Sequence, residues 1–226
     1  MKNNIESWQG RLEECVAEEL LSQGNDDAAH DLSHLRRVWE HCRAIAQEDN
    51  LDVEPLVLLA AAYLHDIVNL PKQSEKRNQA SRLAARKAVD ILQSLFFREE
   101  YIEEVRLAIE SHSYSANIKA ETMAAKIVQD ADRLEALGAL GIARVFYVAG
   151  KMNSLLFAPD DPWASDRELD DSRYAIDHFF IKLLKLKDSM HTAAARRRAE
   201  QLTQFMQDYL LEFKQELSGV DSGNGK

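Results

Sequence analysis

Cysteine is nearly missing from this chain: Cys15 and Cys42 are its only two, and they do not form a C-x-x-C pair. A disulfide framework is therefore excluded as the basis of the fold. Proline occurs 4 times and glycine 8 times in 226 residues, while Ala, Leu, Glu, Lys and Arg recur throughout. That balance favours helices joined by short loops. Long apolar runs are lacking as well. The longest, Pro55 to Leu64, is too short to span a bilayer, and residues 1–20 carry several acids with no apolar signal region. Basic charge is in deficit, with 28 Lys and Arg against 38 Asp and Glu and a pI of about 5.2. A net charge of -10 repels phosphate backbones and argues against non-specific nucleic-acid binding. A small anionic substrate stays compatible where a metal or local lysines reverse the field in one pocket. The expectation is a soluble, cytoplasmic protein with no membrane or nucleic-acid partner; its oligomeric state is not legible.

A hydrophobic fraction of 46% supplies an ample core, and the length suits one domain. Ile5, Trp8, Leu12, Val16 and Leu20 recur at helical spacing and predict a helix over residues 5–22. A second is expected over 28–48, and a third begins near Asp52 and Pro55 and ends in His65-Asp66. Residues 72–79 read as a loop. Further helices are expected over 81–97, 99–111 and 121–137, with a buried helical segment at Ile142–Val148 after Gly138 and Gly141. Residues 158–172 form the longest irregular stretch, either a lid or an ordinary connection. Two last helices should cover 173–186 and 192–217, leaving 218–226 as a flexible tail after a single helical domain over 1–217.

The chemistry starts at Tyr63-Leu64-His65-Asp66-Ile67-Val68-Asn69. The helix before His65 is apolar on every side, and such a helix lies inside the protein. An unpaired carboxylate at its end would cost several kcal/mol or be driven neutral. A bound cation removes that problem, since neutral imidazole and carboxylate are ordinary ligands for divalent metals. A backbone-satisfied histidine beside a capping aspartate is the plainer alternative. Three other places could complete a site. His30 and His34 lie four apart on one helical face, His112 ends a helix, and Asp130 and Asp132 flank the apolar arc of Ile127, Ala131 and Leu134. Those two aspartates are about 200° apart around a helix, so both cannot face one metal, and periodicity does not choose between them.

The order His34, His65-Asp66, Asp132 resembles the HD-domain superfamily of metal-dependent phosphohydrolases. His34-Leu35-Arg36-Arg37-Val38 is similar to its first motif, His65-Asp66 to its second and Ala131-Asp132-Arg133-Leu134 to its last. The likeness covers about residues 27–140. Further strings, among them Gly141-Ile142-Ala143-Arg144, Leu169-Asp170-Asp171 and Lys182-Leu183-Leu184-Lys185-Leu186, resemble a bacterial YedJ-like branch and extend it over nearly the whole chain. The resemblance implies an all-α HD-domain helical bundle with additional C-terminal helices over about 142–217. It also implies one divalent cation on His34, His65, Asp66 and Asp132, which places the fourth ligand on Asp132. Ile67-Val68-Asn69-Leu70 stands where branches acting on guanosine tetraphosphate carry acids, so that activity is not expected.

Mixed nitrogen and oxygen ligation without thiolate favours Mn²⁺ or Fe²⁺ and allows Mg²⁺. Asp66 and His112 are the candidate catalytic groups. Arg133, Lys182 and Lys185 are candidates for neutralising substrate phosphate, the two lysines on one helix face with His178 one turn earlier. The expected activity is hydrolysis of a small phosphorylated metabolite, a nucleotide above others, by pyrophosphohydrolase or nucleotide phosphatase chemistry. The alternatives are a phosphodiesterase of the same fold and a non-catalytic helical regulatory module with a structural metal.

Overall fold

The computed structural model describes residues 2–22, 32–68, 77–113 and 116–221. Its elements are α1 (Lys2–Ser22), α2 (Leu32–Glu48), α3 (Pro55–Leu64), α4 (Ala80–Ser94), α5 (Glu99–His112), α6 (Met123–Glu135), α7 (Gly138–Lys151), α8 (Ala175–Ile181) and α9 (Ala193–Asp221). Short 3₁₀ segments cover Arg77–Gln79 and Leu183–Ser189. An isolated parallel bridge joins Leu155 to Tyr174, and no strand occurs among the described residues. The fold is all-α. Among the described residues no helix is long and apolar enough to cross a membrane. The chain divides into two compact units, Met1–Asp132 with His191–Ala195, and Arg133–Met190 with Arg196–Lys226.

In the first unit α3 is packed by α1, α2, α4 and α5. Every residue from Leu56 to Leu64 is buried. Full burial of each leucine contributes about 2 kcal/mol, which fixes the helix by its surroundings rather than by one amphipathic face. Pro55 opens it at the first helical position, and the Glu54 carboxylate accepts the Leu56 N–H at 3.2 Å. Glu54, not Asp52, is therefore the cap. A buried tyrosine needs a partner for its hydroxyl. Tyr63 donates to Glu13 of α1 at 2.6 Å, and Glu13 also receives the Arg36 guanidinium from α2. The Arg36 hydrogen bond, with burial opposing it, holds Glu13 at about 2, so this junction stays charged across the physiological range.

The late segment His191–Ala195 completes this unit. Asp130 of α6 accepts the backbone N–H of His191 and Thr192 and the Thr192 hydroxyl, the last two at 2.8 Å. Asp49 accepts the Ala194 N–H at 2.8 Å, and Thr192 Oγ1 accepts that of Ala195 at 3.3 Å. The first turn of α9 is thereby satisfied by three side chains.

In the second unit Gly138 has φ +68°, and a Cβ there would lie 2.7 Å from Leu202 Cδ2. A Cβ on Gly141 would meet the Ala136 carbonyl oxygen at 2.2 Å. Both glycines are needed where α6 turns into α7. Residues 158–172 are irregular but tied down. Asp161 accepts the N–H of Ser165 and Asp166, Arg167 forms a two-point pair with buried Asp177, and Trp163 stands edge-on to Phe180 and Phe213.

Several expected boundaries move. Residues 28–31, with His30, lie outside the described residues, as do 69–76 and 222–226. The helix expected over 81–97 stops at Ser94, and that over 121–137 stops at Glu135. The segment Ile142–Val148 is helical but largely not buried; Ile142 is covered while Tyr147 is 40% exposed. The helix expected over 173–186 ends at Ile181, because Lys182 takes φ -127°, ψ -60° and the chain tightens into a 3₁₀ segment. The last helix runs on through Asp221, past the expected end at 217.

Asp130→Ala leaves three donors without their charged acceptor. The substitution is expected to cost about 3 kcal/mol in urea unfolding. Asp130→Asn, which keeps an acceptor oxygen, should cost less.

Candidate metal centre

Four elements of the first unit deliver side chains to one place. His34 comes from the first turn of α2, His65 caps the C-terminus of α3 with Asp66 next, His112 ends α5 and Asp132 lies on α6. The three imidazoles are buried, whereas the Asp66 and Asp132 side chains are 21% and 29% exposed. Imidazoles form the floor and carboxylates the rim.

The chain sets the ring orientations locally. His65 Nδ1–H donates to the Ala62 carbonyl at 2.9 Å, which leaves Nε2 turned inward. His112 Nδ1–H likewise donates to the Ile109 carbonyl at 2.6 Å. Both bonds use terminal helix carbonyls that lack intrahelical donors, and each fixes a tautomer. His65 Nε2 is buried with no hydrogen-bond partner among the described residues. It lies 3.6 Å from Asp66 Oδ2 and 3.7 Å from Asp132 Oδ1. His34 Nε2 is 3.9 and 3.7 Å from the same two oxygens. These separations exceed hydrogen-bond length and suit atoms facing a common centre.

Asp66 has two faces. Oδ2 looks toward His34 and His65, while Oδ1 lies 3.5 Å from His112 Nε2. One donor atom from each of His34, His65 and Asp66 can be chosen so that all lie within 4.8 Å of one another, close enough to hold a metal ion. Two imidazoles with carboxylate oxygen fit a divalent cation of borderline hardness, and the orphaned Nε2 of His65 is the atom such an ion would satisfy.

Without an ion, burial and the neighbouring charges act on these groups in opposite directions. Burial alone would lower the His65 pKa, but the Asp66 and Asp132 carboxylates outweigh it and raise it to about 9. Burial would raise Asp132, and His65 instead holds it well below the usual carboxylate range.

The candidates Arg133, His178, Lys182 and Lys185 belong to the second unit. Arg133 donates to the Ser189 carbonyl at 2.7 Å within that unit. The α-helical face that Lys182 and Lys185 were expected to share ends at Ile181, and Lys185 N instead donates to the Lys182 carbonyl at 3.1 Å. His178 Nδ1 pairs with Asp171 Oδ2 at 2.7 Å. Asp130 turns away from the imidazole cluster toward residues 191 and 192. Sequence reasoning missed Gln129 and His191, which pair at 2.5 Å across 62 positions, because neither carries a local signature.

Comparison with known proteins agrees with this geometry. The HD domain family matches residues 31–137. The protein YpgQ of Bacillus subtilis (strain 168) is 31% identical over 202 residues, 88% of this chain and 89% of its own. The crystal structure of an HD-superfamily hydrolase from Bacillus thuringiensis aligns with TM-score 0.71 and 30% identity, covering 95% of this chain and 98% of its own. The chain belongs to the HD-domain superfamily. It is a metal-dependent hydrolase of that superfamily. YpgQ has also been solved in complex with ADP; that structure aligns with TM-score 0.71 and 28% identity, over 94% of this chain and 99% of its own.

The raised His65 pKa gives a signed expectation for metal-free protein. Its stabilisation is complete below the unfolded value of 6.5 and is lost as pH rises through about 9. After chelation, the stability difference between wild type and His65→Gln should shrink over that interval. Urea midpoints measured at a series of pH values check this.

Proposed function

We propose that this chain is a phosphohydrolase acting on a small phosphorylated metabolite, a nucleotide above others, with Mn²⁺ or Fe²⁺ favoured and Mg²⁺ allowed. His34, His65, Asp66 and Asp132 would hold the cation. The observation that carries the reading is the orphaned, buried Nε2 of His65 facing two half-covered carboxylates. A structural metal calls for a closed ligand shell; the partly exposed rim at Asp66 and Asp132 supports a site that substrate can reach. The nucleotide preference draws support from the ADP complex of YpgQ.

When bound, the cation supplies polarisation of a phosphoryl oxygen and a water of lowered pKa. The chain's own groups divide the remaining work. Asp66 uses Oδ2 toward the imidazoles and keeps Oδ1 to orient water or accept its proton, beside His112. His112 has Nδ1–H committed to Ile109, so Nε2 is the atom that can hold or pass a proton on the Asp66 side.

Asp132→Ala should abolish metal binding, whereas Asp130→Ala should retain it wherever the protein remains folded. Elemental analysis of both variants distinguishes them, and equal metal loss would remove Asp132 from the ligand set. For the activity, metal-stripped protein is restored with Mn²⁺, Fe²⁺ or Mg²⁺ and offered nucleoside tri-, di- and monophosphates, cyclic dinucleotides and sugar phosphates. Release of pyrophosphate or orthophosphate, reduced by about 10³-fold or more in Asp66→Ala, is expected. Metal-loaded protein that hydrolyses none of them would sink the proposal.

A further inference from the structure

Gln129 is 4% exposed on α6, and both ends of its amide are engaged. Nε2–H donates to the Ser111 carbonyl at 2.7 Å. Oε1 accepts from His191 Nε2 at 2.5 Å. The direction is forced, because a carbonyl oxygen only accepts. The amide NH₂ must face Ser111, which leaves Oε1 to His191 and places a proton on His191 Nε2. His191 is itself fixed, since its backbone N–H donates to the Asp130 carboxylate.

Ser111 is the penultimate residue of α5, and its carbonyl is among those a helix end leaves without a donor. The next residue is His112. Its ring hangs from the Ile109 carbonyl of the same helix end and reaches within 3.5 Å of Asp66 Oδ1. A shift of the α5 terminus would therefore carry His112 with it. Gln129 is the polar side chain that holds that terminus from α6, the helix that also carries Asp132.

We propose that Gln129 is a positioning residue for His112 and that His191 orients Gln129. The directed chain from His191 through Gln129 to Ser111 sets how closely His112 Nε2 approaches Asp66 Oδ1. This rests on the reading above, in which Asp66 and His112 face the reacting phosphate. Gln129 acts without touching substrate. The requirement is for an amide rather than for volume: a carboxylate of the same shape would keep the His191 bond but turn an acceptor against the Ser111 carbonyl.

The test uses full-length Gln129→Glu, Gln129→Leu, His191→Ala and His191→Gln. In metal-stripped, isotope-labelled protein, Gln129→Glu should shift the His112 ring resonances while those of His41, outside this network, stay in place. Unmoved His112 resonances would overturn the proposal. With Mn²⁺ bound at wild-type stoichiometry, Gln129→Leu should lower kcat by roughly 10- to 100-fold and leave KM within about twofold, the range expected for ångström-scale misplacement. His191→Gln, which restores an N–H donor, should recover most of the loss seen in His191→Ala. In a His112→Ala background the Gln129→Leu change should cost nothing further; independent, additive losses would reduce Gln129 to a stability role and overturn the proposal. Moved His112 resonances in a protein whose wild type hydrolyses none of the phosphorylated compounds would support the positioning role and remove the functional reading beneath it.

Discussion

A buried histidine nitrogen with no hydrogen-bond partner among the described residues is the constraint on which the first unit turns. α3 is buried from Leu56 to Leu64, so the residue that follows Leu64 begins inside the first unit. The fold satisfies one nitrogen of His65 with the Ala62 carbonyl and leaves the other facing carboxylates beyond hydrogen-bond reach. An interior that strands a polar atom gives up stability. Here the loss is concentrated where divalent-cation chemistry would recover it. The surrounding apparatus serves the same end: Glu13, Arg36 and Tyr63 lock α1 and α2 against α3, and the aliphatic bulk of α3 keeps solvent from the imidazoles.

The cluster is graded from dry to wet. Imidazoles sit at the buried bottom, and carboxylates at the top, where partial exposure makes negative charge tolerable. The helix ends do more than place these residues. Unsatisfied terminal carbonyls of α3 and α5 take the inner N–H of His65 and His112, so the same bond that completes a helix also selects a tautomer. Local structure and site chemistry are one arrangement at these two positions.

Much of this was legible in the sequence, for identifiable reasons. The all-apolar run before His65 announced a buried helix, and the ordered histidines and aspartates carried the superfamily resemblance. Periodicity stopped short at Asp130 and Asp132, which flank one apolar arc; the partner of Asp130 lies 61 residues downstream, where no local pattern reaches. The break at Lys182 carries no proline or glycine to announce it. Val145, Phe146 and Val148 read as core from their composition, yet each is only half covered, since composition does not say how much of a helix its neighbours conceal. Gln129 was invisible because glutamine has no diagnostic spacing and its meaning here comes entirely from Ser111 and His191.

The grip of Asp130 on residues 191 and 192 also has a temporal side. The stretch that matches the HD family ends at residue 137, but the donors that fill the Asp130 carboxylate are made only 61 and 62 positions after Asp130 itself. At ordinary translation speeds of 5–20 residues per second that interval is roughly 3–12 s. Throughout it the nascent HD segment carries an acceptor facing a place its partner has not yet reached. The matched segment is thus shorter than the compact unit it belongs to, and the bonds to Asp130 close only once the start of α9 has been made.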